Sequence, residues 1–327
     1  MNKAQSWTVT DIPEQTGKRV LITGANSGIG YQAARVLARK RAQVVLACRD
    51  PQRAERAASA IRAETPSADI EIALVDLASL ASVRAFAQAE LAQQRPLHVL
   101  VNNAGVMAPT RRLETADGFE LQFGVNVLSH FALTALLFPA IERAAAEGTD
   151  PPRIVTVASI AHKGGRLEFD DLQSKRSYSP MVCYRQSKLA DLIFAFALAR
   201  RLNAARSPIR SIAVHPGVAN TNLFRGSDRP AVERAARGTI GWLIGLFFNS
   251  DFAGALPTLF AATSDAAMSG GYYGPHGWTE MRGERVGSAR VARRARETAA
   301  GERLLETCEK LTGVSIPVGP SAESAEE

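Results

Sequence analysis

Residues 23–30 read TGANSGIG, and they lie between a short apolar run, Arg19–Thr23, and a helix-like stretch over residues 28–40. Glycines allow a tight turn at this point and let backbone N–H groups approach a pyrophosphate. The positive end of the following helix favours the phosphate charge. Three glycines also occur in ordinary turns, but this position between a first strand and a helix favours a dinucleotide site. We expect that site to be contacted by Gly24, Asn26, Ser27, Gly28, Ile29 and Gly30.

Outward from this turn, short apolar runs alternate with longer helix-like segments. Strands are predicted over Arg19–Thr23, Gln43–Ala47, Ile70–Val75, Val99–Asn102, Ile154–Ala158 and Arg210–Val214. Helices are predicted over residues 28–40, 51–64, 79–93, 117–146 and 183–204. This alternation is typical of βαβ units, so we predict an α/β fold: a doubly wound parallel sheet with helices on both faces.

The chain of 327 residues shows no internal repeat and no Pro/Gly linker that would divide it. We therefore predict a single domain over residues 18–312. Residues 1–17 are expected to form a loose lead-in, and residues 313–327, which are rich in small and acidic side chains, a disordered tail.

Composition excludes several classes of protein. The net charge is +7, but the basic residues are scattered, and no nucleic-acid-binding module accompanies them, so no nucleic-acid partner is expected. The three cysteines, Cys48, Cys183 and Cys308, lie far apart without metal-like spacing. This sparse set fits a reducing cytoplasm, and neither a disulfide framework nor a metal site is predicted.

No membrane segment is expected. The first residues, MNKAQSWTVTDIPEQ, contain no apolar core of the kind found in signal peptides or anchors. Residues 238–262 are rich in apolar side chains, but Asn249, Asp251 and Pro257 interrupt them. We interpret this region as a buried or substrate-covering helical segment, with contact to a membrane surface as the alternative.

The end of the second strand indicates which dinucleotide binds. A fold specific for NAD places an acid there, whereas this chain has Cys48 followed by Arg49. A guanidinium can hydrogen-bond a 2′-phosphate, so NADP(H) is favoured and NAD(H) remains possible. The alternative is that Arg49 is an ordinary loop charge. Asp76 and Leu77 close the third strand, where they could reach the adenine or merely cap the strand.

The segment YRQSK places Tyr184 and Lys188 four residues apart in a helical stretch, and therefore on one face. A free tyrosine has a pKa near 10, and a neighbouring ammonium favours the phenolate that proton transfer requires. Ser159 follows a predicted strand, which places its hydroxyl at the carboxyl edge of the sheet, where ligands bind. Asn126 follows the NNAG segment at 102–105, and local hydrogen bonding is its alternative role.

Taken together, TGANSGIG, NNAG, Asn126, Ser159, YRQSK and HPG at 215–217 resemble the classical short-chain dehydrogenase/reductase family across residues 18 to 265. The resemblance implies a Rossmann-type sheet. The segments ACR at 47–49 and AHKGGRLEFDDLQ at 161–173 resemble the retinol-dehydrogenase-like branch, and YYGPHGWTEMRG at 272–283 resembles its bacterial members. Residues 222–255 would correspond to the variable substrate-covering region of the family.

The resemblance also implies roles. Tyr184 would be the general acid in reduction and the base in oxidation, and Ser159 would hydrogen-bond the substrate oxygen. Lys188 would hold the nicotinamide ribose, and Asn126 would anchor a water that passes protons to it. The adenosine side would be contacted by Asn103, with Ala104 and Gly105 beside it. The carboxamide would be oriented by Pro216, Gly217, Val218 and Thr221.

The expected function is therefore an NADP(H)-dependent alcohol dehydrogenase or carbonyl reductase that acts on an apolar alcohol, ketone or aldehyde and works as a homo-oligomer, a dimer or tetramer. One alternative is a reductase of an activated C=C or imine bond, which would use the same hydride geometry. Another is a non-catalytic NADP(H)-sensing or scaffold protein, whose expected mark, the loss of Tyr184 or Lys188, is not found in this sequence.

Overall fold

A computed structural model describes residues 7–218, 249–277 and 279–318. Its centre is an eight-stranded sheet in the order β3-β2-β1-β4-β5-β6-β7-β8. All neighbouring strands are parallel except β7 and β8, which are antiparallel. The strands are β1 (Arg19–Thr23), β2 (Gln43–Cys48), β3 (Ile70–Leu74), β4 (Val99–Asn102), β5 (Arg153–Val157), β6 (Arg210–Val214), β7 (Tyr272–Pro275) and β8 (Val286–Ser288). The predicted doubly wound sheet is confirmed, and its predicted strands lie within one residue of those observed.

Helices cover both faces of the sheet. One face carries α1 (Gly28–Arg39), α2 (Pro51–Glu64) and α6 (Asp251–Thr263). The other carries α3 (Leu80–Ala92), α4 (Ser129–Ala146), α5 (Pro180–Ala204) and α7 (Thr298–Thr312). Each helix places its apolar residues on the sheet, so the buried core forms two layers, one on each side of the strands.

The helix that leads to Asn126 is not the continuous α-helix predicted over 117–146. It begins with one turn, Leu121–Phe123, continues as a π-helical segment, Gly124–Leu128, and only then becomes α4. The Glu120 carboxylate accepts from the backbone N–H groups of Gln122 and Phe123 and fixes the start. π-Helical turns interrupt α-helices frequently at functional sites, and this one carries Asn126.

The whole stretch Leu121–Ala146 is long and apolar enough to cross a membrane by length and composition. In the fold, 89% of its most apolar window is buried inside the domain. Packing of a core helix accounts for that apolarity, since α4 packs against the sheet and α3, and its Phe131 ring lies 5.8 Å from the Phe194 ring of α5.

Both ends of the described chain pack more closely than the sequence predicted. In the expected loose lead-in, Ile12 is buried, and its carbonyl accepts from the Lys40 side chain at 2.5 Å. Beyond the predicted boundary at residue 312, Ile316 is buried and Val314 and Val318 pack against the core. Apolar side chains in segments of polar composition therefore extend the packed domain in both directions.

Most of the predicted substrate-covering region, including residues 222–248, lies outside the described residues. Its last part, residues 251–255, forms the first turns of α6, which packs against α1 in the core. This part agrees with the interpretation of residues 238–262 as a buried helical segment. The Asn249 N–H donates to the Val218 carbonyl at 2.8 Å. Both residues lie just beyond the carboxyl end of β6.

Candidate active site

The glycine loop after β1 is shaped by the absence of side chains. Gly24 has a φ of +67° and Gly28 a φ of +58°, a region that favours glycine. A Cβ on Gly30 would lie 2.5 Å from Asn103 Nδ2 and 2.8 Å from the Gly24 carbonyl oxygen. Ser27 is the N-cap residue of α1 but makes no side-chain capping bond. The first backbone N–H groups of this helix therefore point out of the loop without an intrahelical partner, as an anion site requires.

Thr23 joins the glycine loop to the NNAG loop. Its hydroxyl accepts from the N–H groups of Asn103 and Ala104, both at 2.9 Å, and the Asn103 side chain donates to the Thr23 carbonyl at 2.7 Å. These bonds place the predicted residues Asn103, Ala104 and Gly105 beside the glycine loop. The two segments are 80 residues apart in sequence.

His130 is a buried residue that the sequence analysis did not single out. Its Nδ1 lies 2.9 Å from the Asn126 carbonyl oxygen, and its Nε2 lies 2.9 Å from the Thr23 hydroxyl. A carbonyl only accepts, so Nδ1 carries the proton and Nε2 accepts from Thr23. Burial lowers the pKa of His130 to about 4, against the opposing effect of the Asn126 carbonyl. A neutral imidazole thus links the glycine loop to Asn126.

At the end of β2, the Arg49 side chain is free to contact a ligand. Arg49 is exposed and has no ion pair or hydrogen bond with any residue in the described part of the chain. The neighbouring Asp50 is turned to α2, where its carboxylate accepts from the Arg53 N–H at 3.0 Å. The buried Cys48 leaves no acid at the strand end. A free cation therefore stands where an acid would contact the ribose.

The two residues predicted after β3 are held by hydrogen bonds within the protein. The Asp76 carboxylate accepts from the Ala78 N–H at 3.0 Å, and the Leu77 carbonyl accepts from the Ser129 hydroxyl at 2.5 Å. Asp76 therefore caps the turn that follows the strand, as its alternative interpretation proposed. Leu77 is buried, and its predicted contact with adenine stays a prediction.

The HPG turn after β6 is close-packed. Gly217 has a φ of +75°, and a Cβ there would lie 2.5 Å from the Met281 carbonyl oxygen. Asn249 donates through Nδ2 to the Pro216 carbonyl at 3.0 Å, and the Val218 N–H donates to the Met281 carbonyl at 2.9 Å. These contacts fix the predicted residues Pro216, Gly217 and Val218. Thr221 lies outside the described residues.

A chain of hydrogen bonds connects Asn126 to the tyrosine helix α5. Asn126 Oδ1 accepts from the Val106 N–H at 2.8 Å, and Nδ2 donates to the Val106 carbonyl and to the Ser187 hydroxyl at 3.1 and 2.9 Å. The Ser187 hydroxyl in turn donates to the Tyr184 carbonyl at 2.9 Å. These partners use both Nδ2 donors and one of the two acceptor positions of Oδ1, and the predicted water-anchoring role of Asn126 stays a prediction.

Lys188 is buried on the same helix. Its Nζ donates to the Val157 carbonyl at 2.9 Å and to Asp191 Oδ2 at 2.8 Å. Burial opposes the charged form, but electrostatic interactions with Asp191 and Tyr184 outweigh it and raise the pKa of Lys188. The ammonium is therefore held at the carboxyl end of β5, two residues before Ser159.

Ser159 lies where predicted, as the N-cap of a 3₁₀ turn, Ile160–Gly164. Its hydroxyl accepts from the Ala161 N–H at 3.1 Å, and its carbonyl lies 2.7 Å from His162 Nδ1. The Ala292 N–H donates to His162 Nε2 at 3.2 Å, so Nδ1 carries the proton and donates to Ser159. His162 is buried, and burial lowers its pKa against the effect of the Ser159 carbonyl. It thus positions the backbone of Ser159.

These residues fit a nicotinamide dinucleotide. The glycine loop offers N–H groups for a pyrophosphate, and Gly105 leaves space beside the lysine: a Cβ there would lie 3.3 Å from Asn126 Oδ1 and 3.8 Å from Lys188 Nζ. Hydrogen bonds join Asn126 through Ser187 to the Tyr184 backbone, and Lys188 lies on the same helix as Tyr184. Ser159 lies just after the end of β5. Among the residues that the structure describes, no group of histidine, cysteine and carboxylate side chains could hold a metal ion.

The sequence of this chain matches a known family over most of the sheet. The model of the short chain dehydrogenase family covers residues 18–231. Mouse (Mus musculus) polyprenol dehydrogenase is 43% identical over 279 residues, which are 85% of this chain and 81% of that protein. Mouse retinol dehydrogenase 12 is 39% identical over 303 residues, 91% of this chain and 87% of that protein.

Solved structures agree with these matches. The structure of an uncharacterised protein from Mycobacterium paratuberculosis aligns with a TM-score of 0.75 at 38% identity, covering 96% of this chain and 100% of that one. The structure of 3-ketoacyl-(acyl-carrier-protein) reductase from Brucella melitensis in complex with NADH aligns with a TM-score of 0.58 at 27% identity, covering 79% and 96% of the two chains.

Proposed function

We propose an NADP(H)-dependent reaction on an apolar alcohol or carbonyl compound for this chain, which belongs to the short-chain dehydrogenase family and to its retinol-dehydrogenase-like branch. Membership of this family makes the chain an oxidoreductase that acts on CH–OH groups and uses a nicotinamide cofactor. The preference for NADP(H), the residues that perform the reaction and the substrate are the proposed parts.

The bound nicotinamide supplies or accepts the hydride. In the reducing direction, the Tyr184 hydroxyl gives its proton to the substrate oxygen as the carbonyl carbon is reduced. The Ser159 hydroxyl donates a hydrogen bond to the same oxygen and stabilises the charge that develops there. In the oxidising direction the Tyr184 phenolate takes the alcohol proton, and the Lys188 ammonium stabilises that phenolate.

One observation carries this proposal: the network that runs from Val106 through Asn126 and Ser187 to the Tyr184 backbone, with Lys188 anchored to the Val157 carbonyl. These bonds hold the backbone of Tyr184 and the ammonium of Lys188 near the carboxyl edge of the sheet, which supports a role for both residues in proton transfer. Proton transfer needs groups held in position before the substrate arrives, and buried side chains with satisfied partners provide that.

The preference for NADP(H) is supported by Arg49. An exposed guanidinium without a protein partner can form charge-assisted hydrogen bonds with a 2′-phosphate. Asp50, the acid that follows it, is engaged in capping α2 and in an ion pair with Arg53 at 3.4 Å. NAD(H) lacks the phosphate and would leave Arg49 without a partner.

The relatives suggest a substrate class. One is a polyprenol dehydrogenase and another a retinol dehydrogenase, and both names denote long apolar alcohols. We propose an isoprenoid-like alcohol, or the corresponding aldehyde, for this chain.

A comparison of substrates tests the proposed function. The rate of NADPH oxidation is measured with retinaldehyde, a long-chain prenal, an aromatic ketone and a small polar aldehyde, each also with NADH. We expect the highest kcat/KM with NADPH and an isoprenoid aldehyde. Ser159→Ala should reduce kcat by about 10²-fold, since one stabilising donor to the substrate oxygen is lost, while Ser207→Ala, a control on a distant surface loop, should not. Equal rates for the polar aldehyde, or an unaffected Ser159→Ala enzyme, would contradict the proposal.

A further inference from the structure

Asp191 lies on α5 one turn after Lys188, and nothing in the sequence motifs assigns it a role. Its carboxylate is buried, with a side-chain exposure of 4%, and lies 2.8 Å from the Lys188 Nζ, whose side-chain exposure is 7%. We propose that Asp191 is a positioning residue that keeps the Lys188 ammonium charged and directs it to the cofactor side of the site. The inference rests on the proposed role of Lys188 as the ligand of the nicotinamide ribose.

The first argument is a count of hydrogen-bond donors. An ammonium has three N–H donors and no acceptor. The Val157 carbonyl takes one and Asp191 Oδ2 takes another, and the third has no hydrogen-bond partner within the described chain. Two fixed partners on one side leave a single donor for a ligand, with its direction set. Without Asp191, the ammonium would have one fixed partner and could turn.

The second argument concerns charge. A lysine buried without a counter-charge loses its proton readily, because a charged group is poorly solvated inside a protein. Burial lowers the pKa of Lys188, but Asp191 and Tyr184 raise it more. Burial raises the pKa of Asp191 to about 6, against the opposing effect of Lys188. Above that pH both members of the pair are charged.

Few other titratable groups act on this pair. Cys308, on α7, is buried and interacts with Asp191, and burial strongly raises the pKa of its thiol, so it stays uncharged. Tyr184 and the neutral His130 act on Lys188, not on Asp191. Asp191 is therefore the only carboxylate that acts on Lys188 among the described residues. Its removal leaves no substitute.

A second buried ion pair in the same chain provides a matched control. Arg19 and Glu90 lie 2.7 Å apart with side-chain exposures of 5% each, but Arg19 is the first residue of β1, at the opposite edge of the sheet from the site. Glu90→Gln removes a buried carboxylate of similar burial without touching the site. Any effect that Asp191→Asn shares with Glu90→Gln is a general cost of breaking a buried pair.

The test is the affinity for NADPH as a function of pH, measured on the full chain by ligand fluorescence, which needs no turnover. Between about pH 7 and about pH 9 a paired lysine stays charged. We therefore expect the affinity for NADPH to change with pH in the same way in the wild type and in Glu90→Gln. In Asp191→Asn the affinity should fall by about tenfold more than in the wild type over this range, because the unpaired lysine loses its proton. Asp191→Glu, which keeps the charge, should follow the wild type.

Two further variants separate the possible failures. Lys188→Met should weaken NADPH binding at every pH, and the double variant Lys188→Met/Asp191→Asn, which buries no unpaired charge, should bind no more weakly than Lys188→Met. If Lys188→Met binds weakly but Asp191→Asn follows the wild type, the role of Asp191 is overturned and the proposed function stands. If Lys188→Met binds normally, the proposed role of Lys188 fails, and the inference about Asp191 fails with it. An additional loss in the double variant would show that Asp191 acts independently of the lysine.

Discussion

The glycine loop and the tyrosine helix lie at the same edge of the sheet, but they are built in opposite ways. The loop depends on atoms that are absent: Gly24 and Gly30 have no room for a Cβ, and the first backbone N–H groups of α1 have no intrahelical partner. The helix site depends on atoms that are present: Asn126, Ser187 and Lys188 are buried side chains with fixed partners. The loop should therefore fail when atoms are added, and the helix site when they are removed.

Adding atoms to the loop should have the largest effect. Gly30→Val would place a Cβ 2.5 Å from Asn103 Nδ2 and 2.8 Å from the Gly24 backbone oxygen, and the backbone cannot yield. We expect the affinity for NADPH, measured by ligand fluorescence, to fall by at least about 10²-fold as the loop opens. Gly164→Ala, whose Cβ would meet only the flexible Arg185 side chain at 3.4 Å, is the control. Normal binding by Gly30→Val would mean that the loop does not hold the dinucleotide.

Changing the charge of Arg49, just after β2, should alter the selectivity between NADPH and NADH more than the affinity for either cofactor. In Arg49→Asp, repulsion of the 2′-phosphate replaces attraction, so we expect the ratio of kcat/KM for NADPH to that for NADH to fall by about 10- to 100-fold. Lys310→Asp makes the same change in net charge at an exposed position on α7 and controls for the overall field. If the ratio is unchanged, another residue contacts the phosphate.

Removing one atom from the helix site should have a moderate effect. Ser187→Ala deletes the hydroxyl that joins Asn126 Nδ2 to the Tyr184 carbonyl. We expect kcat to fall by about fivefold, since one buried hydrogen bond contributes about 1 kcal/mol, with the KM for NADPH little changed. Ser211→Ala removes another buried hydroxyl that donates to an α5 carbonyl, that of Ala195, and should leave kcat intact. Equal losses in the two variants would assign the effect to packing.

His130 joins the two regions, and its effect should appear in the pH dependence of stability. Burial lowers the pKa of His130 to about 4 from an ordinary value of 6.5. Below pH 6.5 the unfolded chain takes up a proton that the folded chain refuses, so stability is lost as the pH falls towards 4. Between about pH 7 and about pH 5, His130→Gln should lose about 2 kcal/mol less stability in urea unfolding than the wild type. His276→Gln changes an exposed histidine and should lose as much stability over this pH range as the wild type. If His130→Gln also loses as much as the wild type, His130 is not held neutral in the folded chain.

The same contrast explains how much the sequence could predict. The glycine loop and the NNAG and HPG turns are contiguous patterns that lie at the predicted strand ends, and the Tyr184–Lys188 spacing lies in the predicted helix. The predicted oxidoreductase class is confirmed by the family match, as is the branch. Contiguous motifs are readable because one short segment carries the whole geometry.

What the sequence did not predict depends on contacts between distant segments. The role of His130 depends on its hydrogen bond with Thr23, which forms only when the fold brings β1 and α4 together. The role of His162 likewise depends on the hydrogen bond that its ring accepts from the Ala292 N–H. Both Lys188 and Asp191 are visible in sequence, but their joint burial is not. The antiparallel end of the sheet, β7 and β8, and the helix α7 also lack a local signal, because short strands and a polar helix surface are stabilised by packing. The homo-oligomer, the cytoplasmic location and the bacterial source stay predictions.

The central claim is that Tyr184 transfers the proton in an NADPH-dependent reduction. The most direct measurement compares the steady-state oxidation of NADPH with an isoprenoid aldehyde by the wild type, Tyr184→Phe and Tyr273→Phe, together with the NADPH affinity of each. Tyr273 is a buried tyrosine of β7 whose hydroxyl bonds to backbone groups on the other face of the sheet, so it controls for loss of a phenol. We predict that Tyr184→Phe binds NADPH normally but loses turnover by about 10³-fold, while Tyr273→Phe keeps it. Full turnover in Tyr184→Phe would contradict the account.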